Sequence, residues 1–217
     1  MRILIALTYY RPHYSGLTIY TERLARALVD LGHQVTVLTS QFEKELPREE
    51  IVDGVKVIRL PVALHISKGV IMPSMPFVAW REIRKADIVN IHLPQLDAAP
   101  IALNARILGK PVLLTYHCDL LLPSGFINRL ANIASDVANH IASSSAAKIV
   151  TNTMDYAYNS GFLGRYIDKV QEIPPPATLV PASKAAIDAF RVKHSINPDD
   201  KVIGMVGRLA SEKGAEY

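Results

Sequence analysis

Cysteine is almost absent: the 217 residues contain one, Cys118. A single thiol excludes an internal disulfide and a cysteine-based zinc site. Long apolar runs are missing as well. The longest are short strand-like stretches such as Val112-Leu113-Leu114, far below the ~20 residues of a membrane-spanning helix. The start, Met1-Arg2-Ile3-Leu4-Ile5-Ala6-Leu7, is too short and too strand-like for a signal peptide, so the expected location is cytoplasmic. Excess charge is small. Lys+Arg 24 against Asp+Glu 20 gives +4, with a pI near 9.1. That suits an anionic ligand or an anionic membrane surface. No basic run carries interleaved aromatics, so no nucleic-acid partner is expected. Neither G-x-G-x-x-G nor G-x-x-x-x-G-K-[ST] occurs, which removes the dinucleotide fingerprint and the P-loop. No histidine pair has metal-ligand spacing such as H-E-x-x-H, and neither metal nor cofactor is expected. Internal repeats and low-complexity tracts are lacking.

What is present is enough apolar material for a core: 49% hydrophobic against 20% charged residues, which excludes a disordered chain. The apolar residues alternate between two periods. Arg2–Leu7 reads as a buried strand. A loop with Pro12 and Gly16 follows, then Leu17, Tyr20, Leu24, Ala27, Leu28 and Leu31 at helical spacing, stopped by Gly32. Val35–Thr39 is the next strand, completing a βαβ unit and implying a parallel sheet. Val55–Leu60, Ile88–Ile91, Val112–Tyr116, Lys148–Thr151, Lys169–Ile173 and Lys201–Val206 read as further strands. Helices are expected along Ala98, Ile101, Ala102, Ala105 and Leu108, along Ile127, Leu130, Ala134, Val137 and Ile141, and near 154–158 and 183–194. Residues 62–85 mix Val70, Ile71, Met72, Phe77 and Trp80 with Lys68, Arg81, Arg84 and Lys85. They are read as a connecting loop plus a core-packed helix, with a peripheral membrane contact as the other reading.

This alternation predicts an α/β, doubly wound, mainly parallel, Rossmann-like sheet. Pro174-Pro175-Pro176 with Pro181 marks a domain edge. The expected division is 1–176 as one domain, and 177–217 as a linker plus the truncated start of a second. In such sheets ligands gather at the carboxyl ends of the strands. Four stretches lie there: Tyr9–Gly16, His92–Pro94, Tyr116–Asp119 and Gly207–Gly214. Gly16 opens a helix, where backbone amides favour an anion; a plain βα turn is the alternative. Adjacent His117, Cys118 and Asp119 cannot act as a relay, because successive strand side chains point to opposite faces. His117 is either a cleft-facing hydrogen-bonding group or a structural histidine bonded to backbone. Cys118 is expected to be a small buried hydrophobe rather than a nucleophile. Arg208 and Lys213, five apart in one βα loop, can converge on a diphosphate.

Four segments together resemble the retaining GT-B glycosyltransferases grouped as family 4, specifically the N-terminal domain. They are Tyr9–Gly16, Leu24–Thr39, Asp87–Pro94 and Val206–Gly214. The resemblance implies two Rossmann-like domains facing a cleft, the first for the acceptor and the second for a nucleotide-sugar donor. It implies sugar transfer with retention of configuration by the whole enzyme, to a sugar, a lipid-linked sugar or a small alcohol. By the same resemblance His117 lies close to the reacting sugar, while Gly16, Arg208 and Lys213 hold the donor phosphates. Tyr10, His92 and Asp119, each at or just after a strand end, are expected at the acceptor. A membrane-borne acceptor would add contact at the cytoplasmic face.

The sequence departs from the family pattern at three places. Ser15 stands where the first glycine of a Gly-Gly pair is usual, Pro174-Pro-Pro-Ala-Thr replaces a Gly-Val-Asp signature, and the E-x7-E donor motif is absent. This chain alone is therefore expected to be inactive. The competing reading is a non-catalytic flavodoxin-like binding or regulatory module. It is disfavoured because Tyr9–Gly16 contains no acidic residue.

Overall fold

The computed structural model describes residues 1–66, 69–120, 125–177 and 180–207, with the side chain of Ile127 excepted. The chain divides into two compact units, Met1–Pro176 and Ala177–Tyr217.

The first unit is built on one sheet. β1 (Arg2–Ala6) lies centrally, flanked by β2 (Gln34–Gln41) and β7 (Ile88–Leu93). Beyond β2 come β4 (Val55–Pro61) and β3 (Glu49–Val52). Beyond β7 come β8 (Val112–Tyr116), β9 (Lys148–Thr151) and β10 (Val170–Glu172). Every pairing is parallel except β3 with β4. β5 (Leu64–Ile66) and β6 (Gly69–Ile71) form a separate antiparallel pair. The order jumps from one side of β1 to the other between β4 and β7, so the crossovers reverse direction. In a doubly wound sheet that reversal opens the ligand crevice beside the carboxyl ends of β1 and β7.

Side-chain alternation sorts β1 between two cores. Ile3, Ile5 and Leu7 pack with Ala25, Leu17 and Leu28 of α1 (Gly16–Asp30). Leu4 and Ala6 join the larger core under α2 (Met75–Lys85), α3 (Ala98–Ile107) and α4 (Phe126–Ser145). Near-continuous burial of β7 and β8 fits strands covered on both sides. α1 begins at Ser15, whose Oγ accepts the Thr18 N–H at 3.2 Å, and stops before Gly32, which adopts a positive φ of 81°. That backbone state is costly for residues with a Cβ.

Several expectations are corrected. β3, β5 and β6 were not foreseen. They are short, and β3 alternates only between exposed and partly exposed positions. The apolar stripe of α4 lies outward: Leu130, Ile133 and Val137 are all more than half exposed. Its buried face is small or polar, with Ala131, Ser135, Ala138, Asn139, Ala142 and Ser143. Small side chains let α4 lie close to the neighbouring α3. Within residues 62–85 the core-packed helix is observed as α2, while the expected connecting loop carries the β5–β6 pair. Met72, Met75, Ala79 and Ile83 are buried in the core, while Phe77 is exposed. Among the described residues no helix is long and apolar enough to cross a membrane.

The second unit carries α5 (Lys184–Lys193), capped by Ser183 Oγ accepting from Ala186 N–H at 3.2 Å. Lys201–Val206 was expected as a strand, yet it forms none, and Ile203 and Val206 are fully exposed. A strand exists only with a partner to complete its ladder, and none of the described residues pairs with this segment.

Candidate functional site

The loop leaving β1 is fixed from several sides. Thr8 O accepts from Ser40 N–H at 3.1 Å, Ser40 Oγ at 2.5 Å and Thr39 Oγ1 at 3.1 Å. Arg59, 2% exposed on β4, reaches under the loop. It donates to Arg11 O at 2.7 Å and Pro47 O at 3.1 Å, and pairs with Glu50 at 2.5 Å. These contacts deliver the chain to Ser15 and Gly16 at the start of α1. A Cβ at Gly16 would meet nothing within 4 Å, and its φ is outside the positive range. Neither strain nor crowding within the first unit therefore calls for glycine here. The small residue leaves the helix N-terminus open to approach.

His92, the fifth residue of β7, is fully buried. His117 follows β8, held by its N–H to Leu93 O at 3.1 Å. Both side chains project on the α1 side of the sheet, since the alternate residues Ile91, Leu93, Leu114 and Tyr116 face the other core. His92 Nδ1 lies 2.9 Å from His117 Nε2 and 3.1 Å from Thr21 Oγ1, and the two rings stack with centroids 5.1 Å apart. Tyr20 closes the group edge-on, 4.9 Å from the His117 ring and 5.9 Å from His92. Below it, Asn90 Nδ2 donates to Thr115 Oγ1 at 3.0 Å.

Burial sets the charge of this pair. It pushes His117 down to about 4, and together with the neighbouring His117 it holds His92 well below the usual 6.5. Both are neutral at pH 7. Thr21 Oγ1 also donates to Leu17 O at 2.9 Å, and the buried Nε2 of His92 has no hydrogen-bond partner among the described residues. One proton is shared along each of the contacts from His92 Nδ1 to Thr21 and to His117, and the tautomers set which side donates. The result is a neutral His117 held in one orientation at the carboxyl edge of the sheet.

Of the residues expected here, His117 and His92 come together, and α1, which opens at Gly16, supplies Thr21 and Tyr20 to them. Two of the residues expected at the acceptor are buried. Tyr10 is 1% exposed inside the core under α1, with its hydroxyl pushed up to about 12 chiefly by burial; it has no surface to give a ligand. His92 is too buried to touch an acceptor and stands behind His117. Asp119 is on the opposite side of the β8 exit. Its Oδ1 accepts from Tyr116 Oη at 2.7 Å and Ser160 Oγ at 2.9 Å, and its N–H donates to Tyr156 Oη at 2.7 Å. Cys118 is exposed, not buried, because the strand has ended before it. Arg208 and Lys213 lie outside the described residues. No group of three or more His, Cys, Asp or Glu capable of holding a metal occurs among the described residues. Thr21, Tyr20 and Arg59 were not found from sequence. Their only sequence signal was a polar or charged residue at a position whose periodicity faces the core.

Residues 15–176 match the family described as Glycosyl transferase 4-like domain. The chain is 30% identical over 219 aligned residues to 2-deoxystreptamine glucosyltransferase of Streptomyces kanamyceticus, covering 88% of this chain and 55% of that protein. It is 27% identical to a GDP-mannose-dependent alpha-mannosyltransferase of Corynebacterium glutamicum, covering 100% of this chain and 53% of the relative. The chain thus spans about half the length of these relatives. Among solved structures, Anabaena HepE in complex with UDP and glucose superposes with a TM-score of 0.56 at 14% identity, over 88% of this chain and 50% of that one. This last likeness concerns the fold: the doubly wound sheet is shared. On the match across residues 15–176, the chain belongs to the glycosyl transferase 4-like domain family of GT-B glycosyltransferases.

Proposed function

We propose that this chain is the acceptor-side half of a glycosyltransferase that moves a sugar from a nucleotide-sugar donor to a hydroxyl-bearing acceptor, with retention of configuration. The observation that carries the reading is the neutral His117, oriented by buried His92 beside the N-terminal half of α1. A neutral imidazole offers an N–H to a sugar hydroxyl without placing a cation beside the reacting carbon. Electrostatic help of this kind acts where charge develops, and is strongest when the donor is already in place.

The open N-terminus of α1 at Gly16 presents amides toward an anion, which suits a donor phosphate. Arg208 and Lys213 are assigned to the same diphosphate, whose negative charge grows as the sugar bond breaks. The segment from Ala177 onward is read as the linker and start of the donor domain. The family membership and the names of the relatives support sugar transfer as the reaction class. A lipid-linked acceptor is one arm of this reading, with exposed Phe77 on α2 offering contact to the membrane surface.

The test uses the whole protein with a panel of UDP- and GDP-sugars, following product by NMR. Transfer with the donor's anomeric configuration supports the reading, and inversion refutes the retaining part. Arg208→Lys keeps the charge but loses the planar fork, and is expected to impair transfer. No transfer from any nucleotide sugar refutes the reading.

A further inference from the structure

α4 carries its apolar stripe away from the core of its own unit. Phe126, Leu130, Ile133 and Val137 follow one another at spacings of four, three and four residues, and each is more than half exposed. The opposite face is already covered: Ala131, Ser135, Ala138 and Ala142 are buried where α4 packs on α3 and β8. A core-facing helix shows a broad apolar face, whereas a strict alternation of three and four is the narrower seam along which two helices pair. α4 runs for 20 residues, about 30 Å, so the seam has room for several layers of side chains.

The charges beside the seam select the partner. Arg129 and Asp136 are exposed and stand one heptad apart on the same flank. Asp136 Oδ2 is 3.6 Å from His140 Nε2, too far for a hydrogen bond. Arg129 has no side-chain partner among the described residues. With the apolar residues at the a and d positions, both charges fall at g. Two antiparallel copies of α4 related by a two-fold axis then place Leu130 of each against Ile133 of the other, and Phe126 against Val137. The same register sets Arg129 of each copy beside Asp136 of the other, so opposite charges meet twice. A parallel pair would set Arg129 beside Ala134 and Asp136 beside Ile141, leaving both charges without a partner. One cation and one anion leave the stripe with no net charge to draw it to an anionic membrane.

We propose that the outer face of α4 is the contact through which two copies of this chain form an antiparallel, two-fold dimer. This contact does not depend on the function proposed above. It covers one helix face per copy, at the small end of specific interfaces, so the dimer is reversible and dissociates in the micromolar range.

Sedimentation velocity of the whole protein between about 1 and 200 µM reads the association. Wild type is expected to pass from monomer to dimer across this range. Ile133→Glu puts a charge into the middle of the seam and should weaken the dimer by about 100-fold or more. Arg129→Asp and Asp136→Arg each set like charges against one another twice, and each should weaken it about tenfold. The double reversal, Arg129→Asp with Asp136→Arg, restores opposite charges and should return the association to within about threefold of wild type. All three positions are exposed, so thermal unfolding should change little; if Ile133→Glu does not fold, the charge reversals decide. Wild type that stays monomeric at about 200 µM overturns the proposal. So does a dimer indifferent to Ile133→Glu, or one weakened by the single reversals that the double reversal fails to restore. Flotation with phosphatidylglycerol vesicles covers the other occupant. Monomeric protein that binds them, and loses binding in Ile133→Glu, also overturns the dimer and makes this face a membrane surface.

Discussion

Acidification probes the paired histidines most directly. Burial holds His117 at about 4 and His92 well below 6.5. At pH 5.5 an ordinary histidine is about 90% protonated, whereas one at 4 is about 3% protonated. Unfolded histidines take up protons as pH falls through about 6.5, and the folded pair does not. The unfolded state therefore binds more protons in this window, and stability falls as pH drops. A displacement from about 6.5 to about 4 corresponds to roughly 3 kcal/mol, less for a half-exposed ring screened by solvent. Asp97 works in the other direction. Burial raises its carboxyl to about 6, so the folded state takes up its proton first, and its contribution improves as pH falls from about 6 toward about 4. Asp97→Asn removes that compensation, so the variant should lose more stability on acidification than wild type. The assay combines imidazole NMR titration of each histidine with urea unfolding at pH 7, 5.5 and 4.5. Titration of His117 between pH 6 and 7, or stability that rises on acidification in Asp97→Asn, would refute the neutral-pair argument.

Other substitutions test the supports of the site. Arg59→Met keeps apolar bulk but leaves Glu50 and the carbonyls of Arg11 and Pro47 without their donor, and should cost about 3 kcal/mol; an unchanged denaturation midpoint contradicts this. Ser15→Ala removes the cap of α1 and should cost about 1 kcal/mol by urea unfolding. Gly16→Ala meets no neighbour within 4 Å, so stability should stay within about 0.5 kcal/mol. If the proposed donor phosphate approaches at Gly16, the variant's donor KM in the whole protein should nonetheless rise.

The strands β1 and β8 were legible because two-sided burial makes a strand largely apolar, and β2 and β7 by their Val and Ile positions, although they bury polar residues such as Thr39, Ser40, Asn90 and His92. The edge on which His92 and His117 meet was legible because parallel strands deliver their ends together. What the sequence did not reveal depends on neighbours. α4 carries its apolar stripe outward at Leu130, Ile133 and Val137, and a periodicity shows that a helix has two faces without saying which is inside. Arg59 sits in an apolar run, where a charge reads as an exposed position until Glu50 and two carbonyls are seen around it. Thr21 and Tyr20 lie within the helical repeat of α1 and matter only because the histidines arrive against them. Tyr10 looked like a loop residue beside the crevice, yet the loop folds its ring into the core. Lys201–Val206 has strand composition, but composition cannot provide the ladder partner.

The central claim is that His117 contacts the reacting sugar, and one kinetic comparison tests it. Wild type and His117→Ala are measured as whole proteins with saturating nucleotide sugar and varied acceptor, each normalised to folded molecules by unfolding traces. The account predicts a kcat lower by about 100- to 1,000-fold, the scale for one lost electrostatic donor, with acceptor KM little changed and the variant folded. A His117→Ala protein that turns over normally per folded molecule contradicts it, and makes His117 a structural histidine.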